Sequence, residues 1–191
     1  MNYSVTNDKR KVLESYLFAL GCLFCVILEI FVFPLLIIED KTLNVLYTIF
    51  KILFSVSPVV FVLFIKKLFG KTLLRLVGVP DLSGSYNVEI QSSYKGGTIS
   101  KARIIIKQTF DSIMINFKAE QSISTASSCH IDNSKLEIQL VYTYLNDGNA
   151  IDNKNKTHVG TAVLFFDENK KIDGYYYNNG KDRSTYGKIA S

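Results

Sequence analysis

Hydrophobic positions follow two different patterns along the chain. Before residue 79 they are continuous: residues 16–38 (YLFALGCLFCVILEIFVFPLLII) and 43–65 (LNVLYTIFKILFSVSPVVFVLFI) are each 23 residues long and hold one charged side chain. A helix of that length crosses a hydrocarbon core of about 30 Å. After residue 79 apolar and polar residues alternate with a period of two, which is typical of strands with one buried face. The pattern predicts a membrane α-helical part followed by an all-β domain.

The two apolar segments predict a transmembrane helical hairpin. Only the four residues EDKT, at 39–42, separate them, so the helices would run antiparallel. Lys and Arg flank the outer ends of both segments, at residues 9–11 and 66–75, whereas the connecting loop holds two acids and one lysine. Because Lys and Arg concentrate on the cytoplasmic side of a bilayer, we expect both termini of the chain to be cytoplasmic.

Each apolar segment carries one charge near its middle. Glu29 lies 11 residues before Asp40 and Lys51 lies 11 residues after it, so both would lie roughly 16 Å from the loop at 1.5 Å per residue. A charge inside a bilayer costs about 2.5–3.5 kcal/mol and is usually paired. This predicts a membrane charge pair, Glu29–Lys51, within one hairpin or between protomers, which either fixes helix packing or promotes association of hairpins.

Residues 80–191 predict a small β-barrel. Turn sequences divide them into eight strands, at 84–94, 99–110, 112–122, 124–132, 135–146, 157–167, 171–178 and 184–190. Short sequential strands joined by tight turns favour a lipocalin-like, up-and-down antiparallel barrel or a sandwich, and an eight-stranded barrel holds one small ligand. The predicted organisation is a cytoplasmic N-terminal tail (1–14), a transmembrane hairpin with a basic flank (15–79) and a cytoplasmic β-barrel ligand-binding domain (80–191).

The inward faces of these strands change character along the barrel. In the fifth predicted strand Leu140, Tyr142, Tyr144 and Asn146 share one face, so the interior is apolar at one end and rich in Tyr, Ser and Asn at the other. That gradient indicates a packed floor and a pocket. Alternatively, each tyrosine simply fills the wide end of the barrel and reaches water with its hydroxyl.

The distribution of charge along the chain limits the classes of partner that the protein can bind. The 191 residues carry a net charge of +5, but residues 80–191 hold 13 Lys and Arg against 12 Asp and Glu. The basic excess therefore flanks the apolar segments, where it suits anionic lipid headgroups. A nearly neutral β domain argues against binding long nucleic acids, which requires many phosphate contacts.

The sequence contains no motif typical of an enzyme. A Walker loop, a G-x-S-x-G elbow and a catalytic carboxylate pair are all missing. Cys22 and Cys25 fall inside an apolar helix, and Cys129 and His130 point to opposite faces of one strand, so neither pair predicts a metal site. We therefore expect a protein that is not an enzyme and needs no cofactor or metal.

Several short motifs resemble a known family. VPDLSGSYNVEIQSSY, IIIKQTF, QSIST, LVYTYLN, HVGTAVL and IDGYYYN follow the predicted hairpin in order. This arrangement resembles the CD-NTase-associated two-transmembrane β-barrel effectors of bacterial CBASS anti-phage defence. The resemblance implies a STING-like receptor in the bacterial inner membrane, functionally linked to a nucleotidyltransferase that makes a cyclic dinucleotide. Ligand binding would cause self-association, disruption of the membrane and death of the infected cell.

The resemblance also implies that the ligand lies inside the barrel. The matching motifs give these ligand-binding residues: Tyr86, Gln108, Ser122, Ser124, Tyr142, Tyr144, Asn146, His158, Thr161, Tyr176 and Arg183. Aromatic rings would stack on bases, and hydroxyl and amide groups would read base edges. His158 either donates to a phosphate or is structural. In relatives a Thr-x-Arg motif follows the last tyrosine, whereas Asn178, Asn179 and Gly180 precede Arg183 here.

Two other functions are compatible with a tethered barrel. A lipocalin-like carrier would bind an apolar small molecule in a uniformly apolar interior, which the Tyr, Ser and Asn residues argue against. A membrane scaffold would have a solid barrel that binds another protein. A test of whether the barrel binds cyclic dinucleotides distinguishes the receptor, the carrier and the scaffold from one another.

Overall fold

The computed structural model describes residues 1–31, 57–93, 97, 99–119, 122–148, 158–180 and 183–191. They form two compact units, of which one is Lys9–Gly78 and the other combines Met1–Asp8 with Val79–Ser191. The second unit is therefore built from two segments of the chain, one that precedes the first unit in sequence and one that follows it.

The first unit contains two described helices, α1 (Arg10–Phe31) and α2 (Ser57–Leu76). They run antiparallel: the Cys25 Sγ lies 2.8 Å from the Ser57 Oγ, and the Lys66 Nζ donates to the Glu14 Oε1 over 2.8 Å. Pro58 occupies the first turn of α2, where the missing N–H of proline leaves no helical hydrogen bond unmade. Sequence analysis did not identify the Glu14–Lys66 ion pair.

Among the described residues, α1 is long and apolar enough to cross a membrane, with a mean hydropathy of 2.0. The second predicted span, residues 43–65, lies mostly outside the described residues, which resume at residue 57. Lys51 lies outside them as well, whereas Glu29 is an exposed residue of α1. The two-helix transmembrane hairpin and the Glu29–Lys51 pair therefore stay predictions.

The second unit is a β-barrel preceded by a short strand. Its strands are β1 (Ser4–Val5), β2 (Gly84–Ser92), β3 (Ile99–Gln108), β4 (Ile113–Ala119), β5 (Ser122–Asp132), β6 (Ile138–Gly148), β7 (His158–Phe166), β8 (Ile172–Gly180) and β9 (Arg183–Ala190). From β2 to β9 each strand pairs antiparallel with the next, and β9 pairs with β2 to close the ring. The predicted eight-stranded up-and-down barrel is confirmed, and the sandwich alternative is wrong because the sheet closes on itself.

The two ends of the barrel differ. At the entry end, where β2 begins and β7 ends, apolar side chains fill the interior. Those at most 2% exposed include Leu82, Ile104, Ile106, Phe110, Ile113, Ile115, Ile131, Leu140, Leu164, Phe166, Ile172 and Ile189. Burying each such side chain contributes about 1.5–3 kcal/mol. At the opposite, far end, where β6 ends and β7 begins, the interior is polar and aromatic.

The N-terminal residues belong to the barrel unit, although sequence analysis assigned residues 1–14 to a tail. Strand β1 pairs parallel with the end of β5, and the Thr6 N–H donates to the Ile131 carbonyl over 3.0 Å. The outward-facing His130 ring fixes this strand, since its Nδ1 lies 2.8 Å from the Ser4 Oγ and its Nε2 lies 3.2 Å from the Thr6 Oγ1. Cys129, which directly precedes His130, is buried. The prediction that Cys129 and His130 point to opposite faces of the strand is therefore confirmed.

Candidate functional site

Polar and aromatic side chains converge inside the far end of the barrel. Alternate residues of each strand point inward, and the pairing register brings residues from β5, β6, β7, β8 and β9 to the same level. The far-end cluster, as we name it, comprises Ser124, Tyr142, Tyr144, Asn146, His158, Tyr176, Asn178 and Thr185. It contains no carboxylate and no Lys or Arg, so its chemistry is that of neutral donors, neutral acceptors and aromatic rings.

One row of the cluster crosses four strands. Tyr144, Gly160, Asn178 and Thr185 are successive register partners on β6, β7, β8 and β9. A side-chain hydrogen bond joins Tyr144 to Asn178, and the Asn178 Oδ1 accepts from the Thr185 hydroxyl over 2.7 Å. The row ties four strands together from the inside and fixes the position of the Tyr144 hydroxyl.

His158 lies between two amide side chains. Its Nε2 is 3.0 Å from the Asn178 Nδ2 and 3.4 Å from the Asn146 Nδ2. An amide nitrogen can only donate, so the Nε2 is the acceptor in these two contacts. The two amides therefore hold the imidazole ring in place at the far end.

Asn146 has an unsatisfied acceptor. Its Oδ1 is buried and has no hydrogen-bond partner among the described residues. An unpaired buried polar atom costs about 1–3 kcal/mol, and such atoms in native structures are often explained by a missing ligand or water. A donor such as a base amino group would satisfy this oxygen.

Two adjacent tyrosines of β6 are buried as neutral phenols. The rings of Tyr142 and Tyr144 lie 6.1 Å apart at 53°. The pKa of Tyr144 is raised to about 12, chiefly by burial; the Asn178 hydrogen bond lowers it in part, and the nearby Tyr176 contributes a smaller increase. Burial, together with Tyr144 and Cys129, also raises the pKa of Tyr142. Neutral phenols can face an anionic ligand without charge repulsion.

Two of the predicted ligand residues lie at the entry end, away from the far-end cluster. The Gln108 Oε1 accepts from the Leu82 N–H over 2.8 Å, and its Nε2 donates to the Pro80 carbonyl (3.0 Å) and the Tyr3 hydroxyl (3.2 Å). The Tyr86 hydroxyl donates to the Leu82 carbonyl over 2.9 Å. Both polar groups are thus engaged by the protein itself.

Three further predicted ligand residues, Thr161, Ser122 and Arg183, occupy different positions relative to the far-end cluster. Thr161 alternates with the inward-facing Gly160 and Ala162, so its side chain faces the outside of the barrel and not the interior. Ser122 is half-buried and pairs with Gly148 at the far end. The backbone of Arg183 pairs with Gly180 at the far end, and its side chain lies outside the described part of the chain.

The structure adds two residues that sequence analysis did not assign to the site, Asn178 and Thr185. The Asn178-Asn179-Gly180 sequence was interpreted as a turn, but β8 continues through Gly180. Period-two alternation from Tyr176 could have placed Asn178 on the inward face. Thr185 gives no comparable signal, because only the pairing of β8 with β9 brings it to Asn178.

A cleft of about 440 Å³ lies beside β2, β8 and β9, and Tyr176 and Gly187 are part of its lining. Three outward-facing tyrosines, Tyr175, Tyr177 and Tyr186, line it together with Gln91 and Lys188. These rings are 47–70% exposed, whereas Tyr142 and Tyr144 of the cluster are buried and Tyr176 is half-buried. Among the described residues no group of three His, Cys, Asp or Glu side chains could hold a metal ion.

Comparisons with known proteins agree on one family. Residues 77–191 match the model of the family described as Cap15, cyclic dinucleotide receptor domain. A protein of Yersinia aleksiciae named CD-NTase-associated protein 15 is 33% identical over 111 residues, which cover 57% of this chain and 53% of the relative. A protein of Staphylococcus schleiferi with the same name is 29% identical over 97 residues, covering 50% of this chain and 53% of the relative. The match thus spans about half the length of these curated relatives.

Proposed function

The chain belongs to the Cap15 cyclic dinucleotide receptor family, and on that premise we propose that it is a membrane-anchored effector of CBASS anti-phage defence. It binds a cyclic dinucleotide, made by a partner nucleotidyltransferase, inside the far end of its barrel. Binding promotes self-association and disruption of the inner membrane, which kills the infected cell. The protein acts as a receptor without catalysis.

The observation that carries this proposal is the far-end cluster. It combines buried tyrosine rings with an unsatisfied acceptor, the Asn146 Oδ1, and an imidazole whose Nε2 is occupied. A cyclic dinucleotide offers two flat bases and base N–H donors, and its two phosphates accept hydrogen bonds. Stacking on an aromatic side chain contributes about 1–3 kcal/mol per base. These complementary groups support the proposal.

The charge of the ligand also fits the cluster. The eight residues of the far-end cluster are uncharged, so a dianion meets neutral phenol and hydroxyl donors there, and none of the eight is a carboxylate that would repel it. Ser122 and Arg183 lie on strand ends at the same end of the barrel, and we propose that they and His158 meet the phosphates. Tyr86, Gln108 and Thr161 contribute no direct contact in this proposal, because two are engaged at the entry end and the third faces outward.

The membrane part of the proposal rests on the apolar segments. Helix α1 has the length and composition of a membrane span, and residues 43–65 supply the second helix of a multi-pass hairpin with both termini and the barrel in the cytoplasm. Pairing of Glu29 with Lys51 supports association of hairpins. Ligand drives assembly only if it binds the assembled state more tightly.

Direct binding tests the receptor. The full-length chain in detergent micelles would be titrated with a panel of labelled cyclic dinucleotides. At least one should bind, and Tyr176→Ala should weaken that binding about 5–150-fold, the loss expected for one stacked base. Tyr177→Ala is the matched control, since this neighbouring tyrosine faces outward and is 54% exposed. Lack of binding to every member of the panel, or equal loss in both variants, would contradict the proposal.

Membrane disruption needs its own measurement. The chain would be reconstituted into dye-loaded vesicles of phosphatidylethanolamine and phosphatidylglycerol. Leakage should increase when the bound dinucleotide is added to the wild type and should need more ligand with Tyr176→Ala. Leakage that does not depend on ligand would show that binding and membrane damage are uncoupled. The same leakage assay with an apolar ligand distinguishes the effector from a lipocalin-like carrier, because a carrier would bind its ligand without making the vesicles leak.

A further inference from the structure

Two tyrosine rings of the far-end cluster lie directly over glycines of the neighbouring strand. Tyr144 on β6 is the register partner of Gly160 on β7, and Tyr176 on β8 is the partner of Gly187 on β9. A methyl group at Gly160 would overlap the Cζ and the hydroxyl oxygen of Tyr144 and would lie 2.8 Å from the Tyr177 carbonyl oxygen. A methyl group at Gly187 would overlap the Gln91 carbonyl oxygen and would lie 2.6 Å from the Tyr176 Cε1 and 3.0 Å from its Cζ. Real side chains do not approach so closely.

The register explains why each glycine occurs where it does. The Tyr144 ring crosses β7 at Gly160, the inward position without a side chain, and its hydroxyl reaches Asn178 on the next strand. The Tyr176 ring crosses β9 in the same way at Gly187, whose partner on β2 is Ser92. Both rings therefore lie along the inner wall, and large and small inward residues alternate around the barrel, as in other small barrels.

The orientation of the rings matters for a ligand. A ring that lies along the wall turns its face toward the centre of the barrel, where a flat base can stack on it. A ring pushed away from the wall by a side chain beneath it would occupy the space of the ligand. It would also break the hydrogen bond between Tyr144 and Asn178. Glycine is the residue type that allows the close approach.

We infer that Gly160 and Gly187 are positioning residues of the ligand site, which hold the rings of Tyr144 and Tyr176 against the barrel wall with their faces available for base stacking. This inference rests on the proposed function, because it assigns the rings a ligand. It adds a requirement that the family match does not state: the site depends on two residues that have no side chain and make no ligand contact themselves.

Gly160→Ala tests the inference, with Gly174→Ala as the matched control. Gly174 also faces inward, and a methyl group there would overlap the Val163 carbonyl and lie 3.1 Å from Leu164, but it would meet no tyrosine ring. Both variants should unfold at a lower temperature than the wild type. Only Gly160→Ala should weaken binding of the cyclic dinucleotide, by about tenfold or more.

A second measurement reports on the ring without ligand. In full-length chain labelled with ¹³C in the tyrosine rings, the Tyr144 signal is assigned by its loss in Tyr144→Phe. Gly160→Ala should shift this signal, and Gly174→Ala should leave it in place. An unshifted signal in Gly160→Ala would overturn the inference.

The outcomes separate this inference from the proposed function. A wild-type chain that binds no cyclic dinucleotide overturns the proposed function and the ligand role of the rings together. A wild type that binds while Gly160→Ala binds equally well overturns the inference alone. Should Gly160→Ala fail to fold, the double variant with Tyr144→Leu removes the ring and should fold. Failure of the double variant would assign Gly160 a backbone role only and would overturn the inference.

Discussion

The barrel encloses two side-chain amides whose surroundings differ. Gln108 is 6% exposed, and both ends of its amide are bound by protein groups from residues that precede β2. Asn146 has the same chemistry, but its Oδ1 has no partner among the described residues. A satisfied amide fixes structure, whereas an unsatisfied one marks a place for another donor. The residue type alone therefore does not identify the ligand site. The two amides are distinguished by whether each polar atom of the side chain already has a hydrogen-bond partner in the protein.

Replacing Gln108 by leucine should destabilise the barrel without changing its affinity for ligand. Leucine leaves the Leu82 N–H and the Pro80 carbonyl without this partner, and each unpaired buried group costs about 1–3 kcal/mol. Urea unfolding of the full-length chain measures the loss. Gln139→Leu, at a less buried amide that accepts from Lys135, is the control and should have little effect. Normal stability combined with lost affinity would instead make Gln108 a ligand contact.

The buried phenol of Tyr144 makes stability depend on alkaline pH. Its pKa is about 12 in the folded state and 10.0 when exposed, so between these values the unfolded chain releases a proton that the folded chain keeps. The free energy of unfolding should therefore fall as pH rises above 10, by roughly 1.4 kcal/mol per pH unit from this group. Unfolding measured at pH 9.5 and 11.5 checks this. Tyr144→Phe should lose less stability over the interval, and an equal loss would contradict the assignment.

At the scale of elements, alternation located the barrel strands because each has one buried face. The predicted and observed strands overlap in all eight cases. The end of β8 was missed since Asn-Asn-Gly has the chemistry of a turn, but the Asn178 side chain bonds Thr185 across the sheet and not its own backbone. Strand β1 has only two residues and no alternation, and its partner in β5 is far away in the sequence. No local pattern could indicate β1, whereas alternation continued from Tyr176 could have extended β8.

The attachment of β1 should depend on His130. Its ring contacts both the Ser4 and the Thr6 hydroxyls, so His130→Ala removes two side-chain hydrogen bonds of about 0.5–1.5 kcal/mol each. We expect amide hydrogen exchange at residues 4–6 to become about tenfold faster, while exchange in β3 and β4 stays unchanged. Ser128→Ala, whose hydroxyl contacts Thr143 on the same outer face, is the control. Unaltered exchange at residues 4–6 would mean that backbone pairing alone holds β1.

At the scale of the whole molecule, the barrel unit is built from two chain segments with the helical unit inserted between them. Sequence patterns indicated the order of helices and barrel because apolar runs and alternation are local signals. They did not indicate that residues 1–8 join the barrel, since Tyr3 reaches Gln108 and the Thr109 carbonyl only in the folded chain. The boundaries of the barrel unit therefore include a segment that precedes the predicted membrane part.

This division predicts how the barrel behaves when it is separated from the helices. A chain in which a flexible Gly/Ser linker joins residues 1–8 to residues 79–191 should be more stable in urea than residues 79–191 alone. Tyr3 and Val5 are 6–7% exposed, and burying side chains of this size contributes about 1.5–3 kcal/mol each, so the difference should be about 2 kcal/mol or more. The linked chain carrying Tyr3→Ala should fall between the two. If both wild-type forms unfold at the same urea concentration, residues 1–8 do not stabilise the barrel, and the contacts of Tyr3 with Gln108 contribute nothing to its stability.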